Sequence, residues 1–256
     1  MSNNFLEYEL EGIPVVKIGV LKLDDLGTEA LRIHNERFKG IKFLEFPANR
    51  VIGPGEEVPF VNLLRTLSLD GIIRTLTRGQ IRIINAEDCV RYLDHMGNDG
   101  RKYSFVNSVV VYPRKEPNGH IRQNVLRILG REIREIDQPL LVSGLGLERE
   151  NNGFRVVTTD YTVVKELPYL NSSNLPNVNP PEENIYVVFD PIKGIKKARD
   201  GKRVSITKDR SGLRGVRLSQ KKVSFGEEYI TETTKWFRTF LIQDKITFHE
   251  DVEYDC

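Results

Sequence analysis

The sequence predicts an α+β protein: an antiparallel, β-rich core with several helices in its N-terminal half. Two observations carry this. Segments with helical spacing of apolar residues fall near 24–38, 59–78, 86–96 and 118–136, all but the end of the last in the first half of the chain. Short β-branched and aromatic runs, closed by Gly, Asn and Pro corners, crowd 138–253. Antiparallel sheets are expected from the N-terminal strands and the 138–253 region, with the helices packed on one side.

In chain order, residues 5–23 hold VVKIGVLKL, a strand-like run. DDLGTEALRIHNERF (24–38) spaces Leu26, Ala30, Leu31 and Ile33 as a helix does, with Asp24 or Asp25 as its cap and Gly40 as its stop. IKFLEF (41–46) reads as a strand, and the Pro and Gly residues after it as a loop. Residues 59–78 read as two short helices split at Asp70-Gly71. They faintly suggest a helix-turn-helix with Arg65, Arg74 and Arg78 outward, but two packed core helices explain them better. QIRIIN (80–85) is a strand, AEDCVRYLDHM (86–96) a helix, Asn98-Asp99-Gly100 a corner and YSFVNSVVVYP (103–113) a strong strand. Residues 118–136, capped by Asn118, give the clearest helix. Its arginines Arg122, Arg127, Arg131 and Arg134 are balanced by Glu132 and Glu135.

Two β-rich runs, LLVSGLGLE and FRVVTTDYTVVKEL, flank Asn151-Asn152-Gly153, a hairpin signal. PYLNSSNLPNVNPPEE (168–183) is a long loop or linker. It separates a mixed region, 1–167, from a β-rich region, 184–256, unless the two form a single domain. NIYVVFD (184–190), RVSIT (203–207), VRLSQ (216–220) and KVSF are further strands. Trp236, Phe237 and Phe240 are expected in the core.

The chain has 256 residues, 39% hydrophobic and 29% charged, enough for a sizeable core and unlike a disordered chain. Two cysteines, Cys89 and Cys256, are too few for a disulfide framework, and Cys89 reads as a buried small apolar residue. No apolar run has the length of a membrane span, and the first residues do not resemble a signal peptide. The expectation is a cytoplasmic protein without a membrane partner.

Charge is the one strong anomaly. Residues 193–222 hold twelve cations: Lys193, Lys196, Lys197, Arg199, Lys202, Arg203, Lys208, Arg210, Arg214, Arg217, Lys221 and Lys222. Against Asp200 and Asp209 this is +10. The whole chain is +2, so everything else sums to −8. With glycines at 194, 201, 212 and 215, the segment reads as an ordered, projecting basic β-ribbon. Such a concentration of cations suits phosphate backbones, where each contact releases condensed counterions. The expected function is therefore non-catalytic binding of DNA or RNA, with these twelve residues as the contact set and no cofactor or metal. Tyr186, Phe189, Phe225 and Tyr229 flank the ribbon and are candidates for stacking on single-stranded bases.

Two other readings compete. In the first, the protein is a structural subunit of a multi-protein or virion-like assembly, its ribbon reaching an acidic face of another copy. In the second it is a Mg²⁺-dependent nuclease: Asp190 at a strand end and Asp200-x-Lys202 beyond it, with Glu182 or Glu183 as a third ligand, form an acid/acid-x-Lys pattern. Asp200-Gly201 is equally a hairpin corner. Gly144-Leu145-Gly146 lacks the third glycine of a dinucleotide loop, and the four histidines show no metal-ligand spacing.

Overall fold

In a computed structural model, residues 6–10, 13–46, 56, 58, 62–92, 103–112, 120–130, 139–166, 184–190, 194–197, 204–207, 212–219, 222–229 and 239–244 are described. The chain is α+β. Its strands are β1 (Leu6–Leu10), β2 (Ile13–Val20), β3 (Ile81–Ile83), β4 (Tyr103–Val111), β5 (Leu140–Ser143), β6 (Gly146–Glu150), β7 (Gly153–Val157) and β8 (Val163–Glu166). They continue with β9 (Asn184–Asp190), β10 (Gly194–Lys197), β11 (Val204–Thr207), β12 (Leu213–Ser219), β13 (Lys222–Tyr229) and β14 (Phe240–Asp244). The helices are α1 (Asp25–Arg37), α2 (Leu63–Leu76), α3 (Ala86–Tyr92) and α4 (His120–Ile128).

The strands form a four-stranded sheet, β1-β2-β14-β3, an eight-stranded sheet, β10-β9-β11-β13-β12-β4-β5-β8, and the hairpin β6-β7. All pairs are antiparallel except β11 with β13. Strands from both sides of 168–183 enter the two larger sheets, β14 joining β2 and β3, and β12 joining β4. The chain steps from one sheet to the other after β3: Ile84 N donates to Phe240 O, and Asn107 N in β4 donates to Ile84 O.

Helices lie on both faces of the larger sheet, not on one side as expected. Asn107 of β4 donates its side-chain amide to Asp70 of α2, whereas the next residue, Ser108, accepts from Ala86 N at the start of α3. Successive strand residues point to opposite faces, so α2 and α3 cover opposite faces. This accounts for the burial of every residue from Phe105 to Tyr112. The core on the α2 side joins Leu63, Leu64 and Leu67 to Phe105, Val109, Leu140, Val142 and Leu213. Gly215 of β12 lies against Phe105 and Leu63, where an added Cβ would sit 3.1 Å from the Phe105 ring.

Asp24 caps α1 as expected, accepting from Gly27 N at 2.8 Å, and Gly40 follows the helix at φ +88°. Asn151, at φ +43°, turns the β6–β7 hairpin, whose last pair is Glu150 with Gly153. Cys89 is buried in α3 and Phe240 in β14.

Three local expectations fail. The stretch 41–46 is a turn, not a strand: Leu44 N and Glu45 N both donate to Ile41 O. Side chains of the two helices take up its other backbone groups: Asn35 Oδ1 accepts from Phe46 N, and His34 and Arg65 both donate to Leu44 O. Residues 63–76 form one helix, not two. Gly71 costs about 1 kcal/mol inside a helix, but burial of its neighbours outweighs it, and Asp70 spends its carboxylate on tertiary donors. The described part of the helix expected at 118–136 is α4, 120–128, which closes at Gly130, φ +66°. Residues 118 and 131–136 lie outside the described residues, as do the corner at 98–100, the linker 168–183, Trp236 and Phe237.

Candidate functional site

The basic stretch builds strands of the larger sheet. Among the described residues, the two short β runs of the expected ribbon are not neighbours: β11 pairs with β9 and β13, and β12 with β13 and β4. Leu213, Val216 and Leu218 are apolar and buried, so β12 is held inside the sheet by the surface it must hide. Of the twelve predicted contact residues, Arg214 sits opposite Val110 and is 4% exposed, and Arg217 sits opposite Phe105 and is half-buried. Arg214 is therefore part of the interior, a correction to its expected place on a projecting surface. Lys196 and Lys197 occupy β10, the last strand of the sheet, and Lys222 opens β13. Lys193, Arg199, Lys202, Arg203, Lys208, Arg210 and Lys221 lie outside the described residues.

For the nuclease pattern, Asp190 ends β9 opposite Gly194 across the β9–β10 pair. Asp200, Lys202, Glu182 and Glu183 lie outside the described residues. Among the described residues no group of three His, Cys, Asp or Glu is placed to hold a metal ion, and no helix is long and apolar enough to cross a membrane.

Two buried polar clusters escaped the sequence reading. In the first, the Asp70 carboxylate accepts from Ile83 N at 2.6 Å, from Asn107 Nδ2 at 2.6 Å and from Arg74 Nε at 2.9 Å. Arg74 also lies over the Tyr161 ring, 3.9 Å from its centroid. The donors come from β3, β4 and α2 itself, so this cluster ties α2 to β3 and β4. The polar pair Asn107-Ser108 inside the apolar run FVNSVVV is the sequence signal that marks it. Ser108 in turn shares a hydrogen bond with Ser143 of β5 at 2.7 Å.

In the second cluster, His34 of α1 is fully buried between Phe38 and Phe46. Its Nε2 donates to Leu44 O at 2.7 Å, which leaves Nδ1 to accept from the Ser68 hydroxyl at 2.8 Å. Arg65, outward only in the helix-turn-helix reading, is 4% exposed: it donates to Leu44 O and Glu45 O and stacks 4.7 Å from the Phe46 ring centroid. Burial pushes His34 down to about 4 and Arg65 down to about 10. Both imidazole nitrogens are engaged, so the cluster fastens 41–46 to α1 and α2 and offers no free base. A third pair, Arg82 with Asp88, braces the start of α3, where Asn85 and Asp88 cap each other reciprocally.

Among the described residues, several exposed cations outside the basic segment are paired. Arg32 bridges Glu29 and Glu36 on α1, Arg155 pairs with Glu148, and Arg127 of α4 donates to Asn124. None of them extends the basic strands. Comparison of the chain with protein-family models, with curated proteins and with solved structures returns no match.

Proposed function

We propose that the protein binds nucleic acid without catalysis, mainly through phosphate contacts from the 193–222 segment. The observation that supports this is the segregation of charge, +10 in thirty residues against −8 in the remainder. A local field of that size attracts a polyanion whatever the net charge of the chain. The strand placement refines the contact set. Arg214 is buried and leaves it, so eleven of the twelve cations remain. If half of these reach phosphate, the log–log salt slope on duplex DNA is roughly −5.

A salt-titrated binding assay against duplex DNA, single-stranded DNA and RNA tests this. Neutralising Lys196, Lys197, Lys202 and Arg203 together should abolish retention on a polyanion column. Unchanged affinity in that variant rejects the proposal. The −8 on the rest of the chain favours a second reading, a structural subunit whose basic strands meet an acidic face of another copy. It calls for concentration-dependent assembly without nucleic acid, and a strict monomer at high concentration in sedimentation velocity counts against it.

A further inference from the structure

The register of the basic half of the sheet separates its residues into rows of opposite character. Arg217 of β12 pairs with Ser224 of β13, Ser224 with Ser205 of β11, and Ser205 with Tyr186 of β9. Directly paired residues share a face, so a cation, two hydroxyl residues and an aromatic stand in one transverse row. It spans three strand spacings, roughly 14 Å. The rows on either side belong to the opposite face and are wholly apolar. One is Leu218, Val223 and Val204, and the other is Val216, Phe225, Ile206 and Ile185. Polar and apolar rows therefore alternate across these strands, and the polar row continues through Arg217 to Phe105 of β4, in the core on the α2 side.

The same register adds two lysines to the polar face, and Asp190 at the end of β9. Lys222 is two residues from Ser224 in β13. Lys196 of β10 pairs with Val188, two residues from Tyr186. Phe189 pairs with Ile195, and Tyr229 pairs with Arg214, which stands opposite Val110 on the α3 side. Of the four aromatics flanking the basic stretch, the register therefore puts Tyr186 alone on the polar face. Phe189, Phe225 and Tyr229 fall on the other.

We infer that the polar face of β9, β11 and β13 is a platform for single-stranded nucleic acid, with a base stacked on Tyr186 and phosphates held by Lys196 and Lys222. The inference rests on the proposed function and specifies its ligand. Its argument is complementarity: cations at both margins of the face, an aromatic position between them, and small hydroxyl residues at its centre that let a strand lie close. A single strand presents both unstacked bases and phosphates to such a surface, whereas a duplex presents phosphates with its bases already stacked.

The test uses the full chain and three fluorescein-labelled probes: a uridine 20-mer, a thymidine 20-mer and a mixed-sequence 20-base-pair duplex. Anisotropy titrations should show tighter binding to both single strands than to the duplex. Stacking on an aromatic contributes roughly fivefold to a hundredfold per base. Tyr186→Ala should therefore weaken single-strand binding by such a factor, spare duplex binding, and be rescued by Tyr186→Phe. Lys196→Gln with Lys222→Gln should lower the single-strand salt slope by about 1.4. That second readout decides the matter if Tyr186→Ala does not fold. Preference for the duplex, or single-strand affinity and slope unchanged in these variants, overturns the platform and leaves nucleic-acid binding standing. No binding to any probe removes both.

Discussion

Acid should weaken the fold through His34, and the size of the effect follows from its surroundings. The ring is fully buried, its Nε2 donates to Leu44 O, and Arg65, whose guanidinium donates to the same carbonyl, faces it from α2. A proton on Nδ1 would put a second cation beside Arg65 and force the Ser68 hydroxyl, now a donor to Nδ1, to turn away. Burial first, then the charges of Arg65 and Arg37, hold the imidazole down to about 4 from its usual 6.5, against the opposing hydrogen bond to Leu44. As pH falls the unfolded chain takes up the proton before the folded one does. Stability therefore drops from about pH 6.5 and levels off only near pH 4. The loss from this group is about 2 kcal/mol at pH 5 and approaches about 3 kcal/mol at the lower limit. Urea unfolding monitored by circular dichroism at pH 7, 6, 5 and 4.5 measures it. His34→Gln should be less stable at pH 7 yet lose less on acidification, so the two curves converge as pH falls. Parallel curves for the two proteins would refute the assignment, because the acid sensitivity would then reside elsewhere.

Other substitutions test other joints. Asp70→Ala removes the acceptor of Ile83 N and of the Arg74 guanidinium and one acceptor of the Asn107 amide, and should cost about 3–5 kcal/mol; a shift of the thermal midpoint below about 6 °C would contradict that. Gly144 has φ +76° and its added Cβ would meet Tyr161 O at 2.3 Å, so Gly144→Ala should lower stability by more than about 2 kcal/mol in urea titration. Arg214→Gln should reduce stability while leaving the salt slope of nucleic-acid binding unchanged, whereas Lys196→Gln should leave stability within about 0.5 kcal/mol and reduce the slope. Swapped outcomes for these two variants would mean that the buried and edge positions have been misread.

What the sequence revealed, and what it hid, divides along the range of the forces involved. Local chemistry was readable. Asp24 before an amphipathic run caps α1, and Asn151-Asn152-Gly153 turns a hairpin whose strands pair in register. Tertiary choices were not. The apolar residues Ile41, Leu44 and Phe46 fit a strand or a turn equally well, and the donors that decide the matter, Asn35, His34 and Arg65, come from two separate helices. Asp70-Gly71 looks like a break because both residues favour breaks in isolation. In the fold, Asp70 has three donors around it, one from β3, one from β4 and one on its own helix, and α2 runs through.

The basic segment shows the same division most sharply. A charge count along the chain is additive and ignores direction, so Arg214 and Lys196 enter it as equals. Strand pairing is directional. It sets Arg214 opposite Val110 in the interior of the sheet and leaves Lys196 on the last strand. The useful signal was therefore alternation combined with pairing order. VRLS and KVSF carry their polar residues at every second position, but a period of two says only that two faces differ. The β12–β13–β11–β9 order lines the polar positions into one row, and that order depends on a parallel β11–β13 contact that no local pattern announces. A basic stretch in a β-rich chain becomes a surface only to the extent that the sheet aligns its charges, so a binding site here should be mapped by rows of the sheet and not by runs of the sequence.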